Sequence, residues 1–286
     1  MNKKTGILII GHGSKMPYNK EVVTTIANKL DKKIENTVES GFMELVEPNI
    51  PQQVNKLKQQ NMEKIIVIPA FLSHGIHTKV DIPTILKLPH SHEGTEHTHH
   101  HHHHHDDERE AKSESIDYDG EIVYLEPFGS DDKIVDIIER RITNITQREN
   151  INNDNTGILL IGHGSSLPYG KEVLNEITEK TKSRLKTYDI ELSFMRIETP
   201  SIPESFKKLQ SHNYENIIVL PVFLADGLHT KSDIPLTLGL EAAKLDFEYP
   251  KKEKQIDYEG NIIYLNPLKA EDEIIELIEN RIKDYL

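Results

Sequence analysis

Apolar positions along the chain follow two alternating rhythms, and the whole alternation occurs twice. Short continuous runs, "GILIIG" at 6–11 and "KIIVIPAFL" at 64–72, are of the kind given by strands buried on both faces. "ESGFMEL" (39–45) and "EIVYLEP" (121–127) are two further strand candidates. Between the strands the spacing becomes that of one helical face, as in Val22, Val23, Ile26, Ala27 and Leu30, and again in Ile134, Val135, Ile137, Ile138 and Ile142. The second half repeats the order with "GILLIG", "LSFMRIE", "NIIVLPVFL" and "NIIYLNP". It closes on a helix through Ile274, Ile275, Leu277, Ile278 and Ile282. Strands alternating with helices predict an α/β fold in each half, a parallel sheet covered by helices.

The repetition extends to the loops. "GILIIGHGSKMPYNKEV" from residue 6 returns as "GILLIGHGSSLPYGKEV" from residue 157, "FLSHGIHTKVDIP" as "FLADGLHTKSDIP", and "IDYDGEIVYLEP" as "IDYEGNIIYLNP". A duplicated domain explains this register. The expected division is an N-terminal domain over 1–145, a polar Asn-rich linker over 146–156 and a C-terminal domain over 157–286. Copies lie 152 residues apart at His77/His229 but 140 at Tyr118/Tyr258, so the first half carries an insert, which coincides with a histidine tract at 90–110.

Composition narrows the function classes. The net charge of −13 disfavours a nucleic-acid partner. There is no cysteine, which removes disulfides, thiolate metal sites and a Cys nucleophile. No apolar run approaches the roughly 20 residues of a membrane span, so a cytoplasmic protein with no membrane partner is expected. Ten of the sixteen histidines fall between His90 and His105, seven of them consecutive. A run of that kind cannot build a core, but neutral imidazoles at such density bind divalent metals loosely, so the tract reads as a metal reservoir.

The chemistry concentrates in the repeated loops. Gly-His-Gly-Ser follows a buried strand and precedes an amphipathic helix, which puts His12 and its copy His163 at the carboxyl end of a sheet, where open α/β folds bind ligands. Gly11 and Gly13 allow a tight turn, and Ser14 and Ser165 are placed to cap the following helix beside amides suited to an anion. The loop is too short for a phosphate-binding Walker loop, lacks the third glycine of the dinucleotide fingerprint, and is not a G-x-S-x-G elbow. "HGIHTKVDIP" also follows a strand, so His77 should face the crevice of His12, and His229 that of His163. Two imidazoles on adjacent loops can share a divalent metal, or one can bind while the other moves protons. His74 is replaced by Asp226 in the copy and reads as a supplementary or solvated residue. Thr78, Lys79 and Asp81 recur as Thr230, Lys231 and Asp233, with Asp81 in the position of a helix cap before Ile82-Pro83. Glu44 becomes Arg196, so the halves are not equivalent: an acidic group suits a metal or a proton, a guanidinium a carboxylate.

Taken together, "GHGS-x-x-PY", "FMELVEPNIP", "PAFLSHGIHTKVDIP", a His-rich insert and "EPFGSDDKIVDII" resemble the sirohydrochlorin cobaltochelatases and nickelochelatases of the small archaeal type, relatives of the class II ferrochelatases. The resemblance covers 5–145 and, more loosely, 156–286. It implies two tandem chelatase-like domains, each a four-stranded parallel, flavodoxin-like doubly wound sheet, arranged as a fused pair in a pseudo-dimeric monomer. It also implies ATP-independent insertion of Co²⁺ or Ni²⁺ into sirohydrochlorin, with the metal as substrate and no tightly bound cofactor, toward cobalamin or coenzyme F430. His12, His77, His163 and His229 become the metal-binding and catalytic residues. Ser14, Glu44, Lys79, Ser165, Arg196 and Lys231, with Lys20 and Lys171, would receive the polycarboxylate. Alternatives from the same residues are a sirohydrochlorin ferrochelatase, a metal storage or delivery protein working through the His tract, and a tetrapyrrole or phospho-ligand binder without metal chemistry.

Overall fold

The computed structural model describes residues 4–89, 115–244 and 254–286. The histidine tract therefore lies outside the described residues. In the first half the elements are β1 (Thr5–Gly11), α1 (Tyr18–Asp31), β2 (Val38–Phe42), α2 (Ile50–Gln59), β3 (Lys64–Pro69), α3 (Ile82–Ile85), β4 (Glu121–Tyr124) and α4 (Asp132–Arg148). The second repeats them as β5 (Thr156–Gly162), α5 (Pro168–Arg184), β6 (Asp189–Phe194), α6 (Ile202–Gln210), β7 (Asn216–Pro221), α7 (Ile234–Thr237), β8 (Asn261–Tyr264) and α8 (Asp272–Ile282). Each half holds one four-stranded sheet, in the orders β2-β1-β3-β4 and β6-β5-β7-β8, with every pairing parallel. β1 and β5 are buried along their whole length, as their uninterrupted apolar runs require.

Three details depart from the pattern reading. Helices α2 and α6 carry no long apolar stripe and announce themselves by their starts: Asn49 and Gln52 exchange side-chain and backbone hydrogen bonds at 2.8 Å each, and Ser201 N donates to Glu204 at 2.7 Å. The strand candidates at 39–45 and 192–198 end early, at Phe42 and Phe194. Beyond them the chain turns away, so Glu44 and Arg196 lie past the strands. Helix α4 runs on to Arg148, into the segment expected as linker.

One continuous apolar core joins the halves. Ile7, Ile9 and Ile66 of the first sheet, Ile158, Leu160 and Ile218 of the second, and the inner faces of α1, α4, α5 and α8 form a single cluster. Helix α4 packs on α5 and α8, and α1 on α8. Two smaller clusters lie on the outer faces, under α2 and α6. Arginines exchange across this seam: Arg141 donates to the carbonyls of Pro267 and Leu268, and Arg281 to those of Pro127 and Phe128. Arg140 pairs with Glu271 and Glu273, and Arg184 with Asp136. Among the described residues no helix is long and apolar enough to cross a membrane.

Candidate functional site

The Gly-His-Gly-Ser loop is shaped by the chain leaving β2. Met43 N donates to Gly11 O and Glu44 N to His12 O, at 3.1 and 3.2 Å, so that segment lies along the loop. Gly13 adopts φ +91°, and a Cβ there would stand 1.9 Å from the Glu44 carbonyl oxygen. Gly164 has φ +85° and would meet Arg196 O at 1.8 Å. No side chain fits either position. Only the second glycine of the motif needs the left-handed backbone. Gly11 is the last residue of β1, and its lack of a side chain admits Val23 of α1.

This loop and the turn after β3 bring two imidazoles together. His12 Nε2 and His77 Nε2 are 3.1 Å apart, with ring centroids 4.6 Å apart and the planes nearly perpendicular. The outer nitrogens are occupied: His12 Nδ1 lies 2.7 Å from Gly13 O, and His77 Nδ1 lies 2.6 Å from Asp81 Oδ2. A carbonyl and a carboxylate only accept, so each Nδ1 carries the ring proton and each Nε2 is left with a lone pair. Two lone pairs at that separation are unfavourable unless a cation or a proton lies between them. Glu44 adds a carboxylate 3.6 Å from His12 Nδ1. His77 begins a π turn, closed by Ile82 N onto His77 O, that carries Asp81 round to face the ring. Asp81 therefore orients His77 and makes no side-chain cap to α3, in contrast to the cap expected from its place before Ile82-Pro83. From β4, Tyr124 Oη donates to Thr78 O at 2.9 Å and fixes the turn from behind. Burial drives the Tyr124 hydroxyl far above its ordinary pKa, which keeps it a donor.

The second half builds the same device. His163 Nδ1 lies 2.7 Å from Gly164 O, His229 Nδ1 lies 2.6 Å from Asp233 Oδ2, and Tyr264 Oη donates to Thr230 O at 2.8 Å. The rings are further apart, 5.1 Å between centroids. Although His163 is exposed at the mouth, its ring is desolvated by the cleft walls, which lowers its pKa; the neighbouring His229 ring and the Arg196 guanidinium act in the same direction, against the Gly164 carbonyl. Arg196 here stands where the first half has the Glu44 carboxylate.

Both halves line one cleft of about 590 Å³, which includes His12, His77, His163, Ser165, Ile197 and Phe223. The expected polar residues around it divide by role. Ser14 and Ser165 do not cap helices; their hydroxyls accept from Met16 N and Leu167 N within the loop, both at 3.1 Å. Lys79 stands over the ring of Tyr169, and Lys231 over that of Tyr18, 5.4 and 5.8 Å from the centroids, each reaching across to the other half. Lys231 also pairs with Asp226 at 3.3 Å. Lys171 is held by Glu198 at 2.8 Å. His74 is bound up with Glu126 and Thr78 and lies against Tyr169, and it lines the same cleft as the paired imidazoles. Asp81 and Asp233, which bond the histidine rings, and the four tyrosines 18, 124, 169 and 264, which contact the turns and the lysines, are given no part in the site by the motifs; the i,i+4 spacing of His77 to Asp81 and the doubled Pro-Tyr are the available signals. Among the described residues no cluster of three or more His, Asp or Glu is arranged to hold a metal, so the paired imidazoles are the unit present.

A family model described as CbiX matches residues 6–145 and matches again over 157–285. The chain belongs to the CbiX family. Its curated relatives include the sirohydrochlorin cobaltochelatase of Methanothermobacter thermautotrophicus, 48% identical over 139 residues, which are 49% of this chain and 91% of the relative. The protein of the same name from Methanocaldococcus jannaschii is 51% identical over 134 residues, 46% of this chain and 93% of the relative. Each such relative thus corresponds to one CbiX unit, where this chain has two. Among solved structures, SirB from Bacillus subtilis with Fe³⁺ superposes with a TM-score of 0.67 at 19% identity, covering 98% of this chain and 95% of that one. The CbiX described as the terminal enzyme for siroheme biosynthesis in denitrifying bacteria gives 0.61 at 17%, covering 98% and 99%. At those identities the likeness is one of fold, and it spans both CbiX units.

Proposed function

We propose that this CbiX-family chain is a chelatase that inserts a divalent metal ion, Co²⁺ or Ni²⁺, into sirohydrochlorin without ATP, each half contributing one wall of the cleft as a domain of its own. The relatives named as sirohydrochlorin cobaltochelatases, at close to half identity over nearly their whole length, support the reaction class. The observation that carries the reading to particular atoms is the pair of opposed Nε2 lone pairs on His12 and His77 at 3.1 Å. An ion about 2.1 Å from both nitrogens would subtend roughly 95° between them, a cis arrangement that leaves its other positions open to water and to pyrrole nitrogens.

The sequence of events follows from that. A hydrated ion exchanges waters for the two imidazoles, and the bound macrocycle displaces the remainder. As the pyrrole nitrogens take the metal, two protons must leave, and the freed Nε2 atoms are the acceptors at hand, with the Glu44 carboxylate 3.6 Å from His12 Nδ1 on the other side of that ring. The metal is a substrate, and no resident cofactor is required. Arg196, Lys79, Lys231 and the loop amides at Ser14 and Ser165 supply the positive potential that a polycarboxylate needs against a chain of net charge −13. The first pair, with Glu44, is the better placed for the cation; the second, with Arg196 beside a desolvated His163, favours the anionic rim of the tetrapyrrole.

Insertion is followed by the change in sirohydrochlorin absorbance on adding Co²⁺, Ni²⁺ or Fe²⁺ to one preparation. His12→Ala and His77→Ala should each lower the rate at least 100-fold while tetrapyrrole binding survives. Wild-type rates in both variants would remove the assignment. Turnover that outlasts deletion of 90–105 at saturating metal rules against a mere storage role for the protein.

A further inference from the structure

Leu45 and Ile197 occupy the same place in the two halves, each one residue after the Glu44/Arg196 position. Each is the centre of a three-residue turn, closed by Val46 N on Glu44 O at 2.8 Å and by Glu198 N on Arg196 O at 2.6 Å. Their φ angles are +63° and +64°. Bulky L-residues avoid this left-handed region, a β-branched isoleucine most of all, and turns of this form are rare and strained. Glycine or asparagine would sit there with less strain. The two side chains are also 61% and 71% exposed, the largest values among the exposed large hydrophobics of the described residues. Folding therefore explains neither residue: the backbone disfavours the side chain, and the core gains nothing from it. Strain that local packing does not offset points toward a ligand.

The location says which. Each turn is tied to a histidine loop through Glu44 N on His12 O and Arg196 N on His163 O, 3.2 and 3.0 Å. Ile197 lines the cleft next to Arg196, and Leu45 stands next to Glu44 on a turn tied to the His12 loop; an apolar side chain beside a charged one in such a place complements a ligand with a broad apolar face and an ionic rim. A bare metal ion, an inorganic phosphate or a nucleotide phosphate would gain nothing from exposed leucine and isoleucine.

We propose that Leu45 and Ile197 are binding contacts for the faces of the tetrapyrrole macrocycle, one from each half, and hold the ring over the histidine pairs; this rests on the chelatase reading. Burying each side chain against the ring recovers the apolar exposure that the free protein tolerates.

The test uses Leu45→Asn, Ile197→Asn and the double variant of the whole chain, because asparagine accepts the backbone and removes the apolar group. Sirohydrochlorin affinity, read by absorbance titration, should weaken about tenfold at each site. The melting temperature should stay level or rise, and Co²⁺ binding in the absence of tetrapyrrole should not change. Leu45→Met should restore affinity. Undiminished sirohydrochlorin affinity in the double variant, beside a wild type that turns over, overturns this inference alone. So does a parallel fall in melting temperature and affinity, which would mark the residues as parts of the fold. A wild type that takes up no sirohydrochlorin overturns both this inference and the chelatase reading.

Discussion

At the scale of single residues, the site depends on which nitrogen of each imidazole holds the proton. Two acceptors decide it, the Gly13 carbonyl and the Asp81 carboxylate, each within 2.7 Å of an Nδ1. Partners of this kind typically change metal affinity or activity by about 10- to 100-fold when removed. Asp81→Ala is therefore expected to raise the KM for metal by that factor with little change in the KM for sirohydrochlorin, and Asp81→Asn to recover most of it through its carbonyl oxygen. Nitrogen NMR of the His77 ring checks the cause, since only the alanine variant should shift the population toward the Nε2–H form; an unchanged spectrum with an unchanged metal KM would remove the role. That His12 and His77 would meet was legible because the chain states both loops twice, each at the end of a buried strand. Asp81 was misread because Asp-Ile-Pro is also how a helix begins, and only the π turn, which no periodicity announces, brings that side chain back onto His77.

Secondary-structure elements explain why those residues meet. The buried strands β1 and β3 stand side by side, with Ile9 opposite Ile68 and Ile10 opposite Pro69, so the loops at their ends emerge together. These strands were plain in the sequence, since each is an unbroken apolar run, Ile7 to Ile10 between two glycines in β1 and Ile65 to Ile68 leading into Pro69 in β3. The expected ends of strands β2 and β6 lie three and four residues too far along, because "FMEL" and "FMRIE" keep an apolar rhythm after the backbone has left the sheet. That exit is what presses the Glu44 carbonyl against Gly13. Gly13→Ala would bring a methyl group within 1.9 Å of it at a φ of +91°. It should cost about 2 kcal/mol or more of stability and displace Glu44 and Leu45 along with the loop. Denaturant unfolding measures the first effect; a variant as stable as the wild type would show that the loop can yield.

Over the whole molecule, the apolar core and the arginines of the seam treat the two halves as one body. Ile158 and Leu160 belong to the same cluster as Ile7 and Ile9, and Arg141 and Arg281 each bind carbonyls of the opposite half. Exposed residues at 147–150 and 152–154 make the connection accessible to a protease. A chain nicked there should elute as one particle of the original size, because the area that joins the halves is that of an interior. Separation into two fragments on gel filtration would contradict a shared core. Duplication, and hence two similar sheets, was evident from the loops alone; the seam was not, because the stripes of α1, α4, α5 and α8 specify that a face is buried without naming what buries it.

The paired imidazoles invite one last consequence. A protein that assembles from two identical copies must accept every substitution on both banks of its groove at the same moment. Here the banks are written separately, so a carboxylate at 44 can face a guanidinium at 196, and His74 can answer Asp226, without either choice dictating the other. Joining the copies in one polypeptide frees the groove from two-fold repetition, so its two banks can carry opposite charges at matching positions.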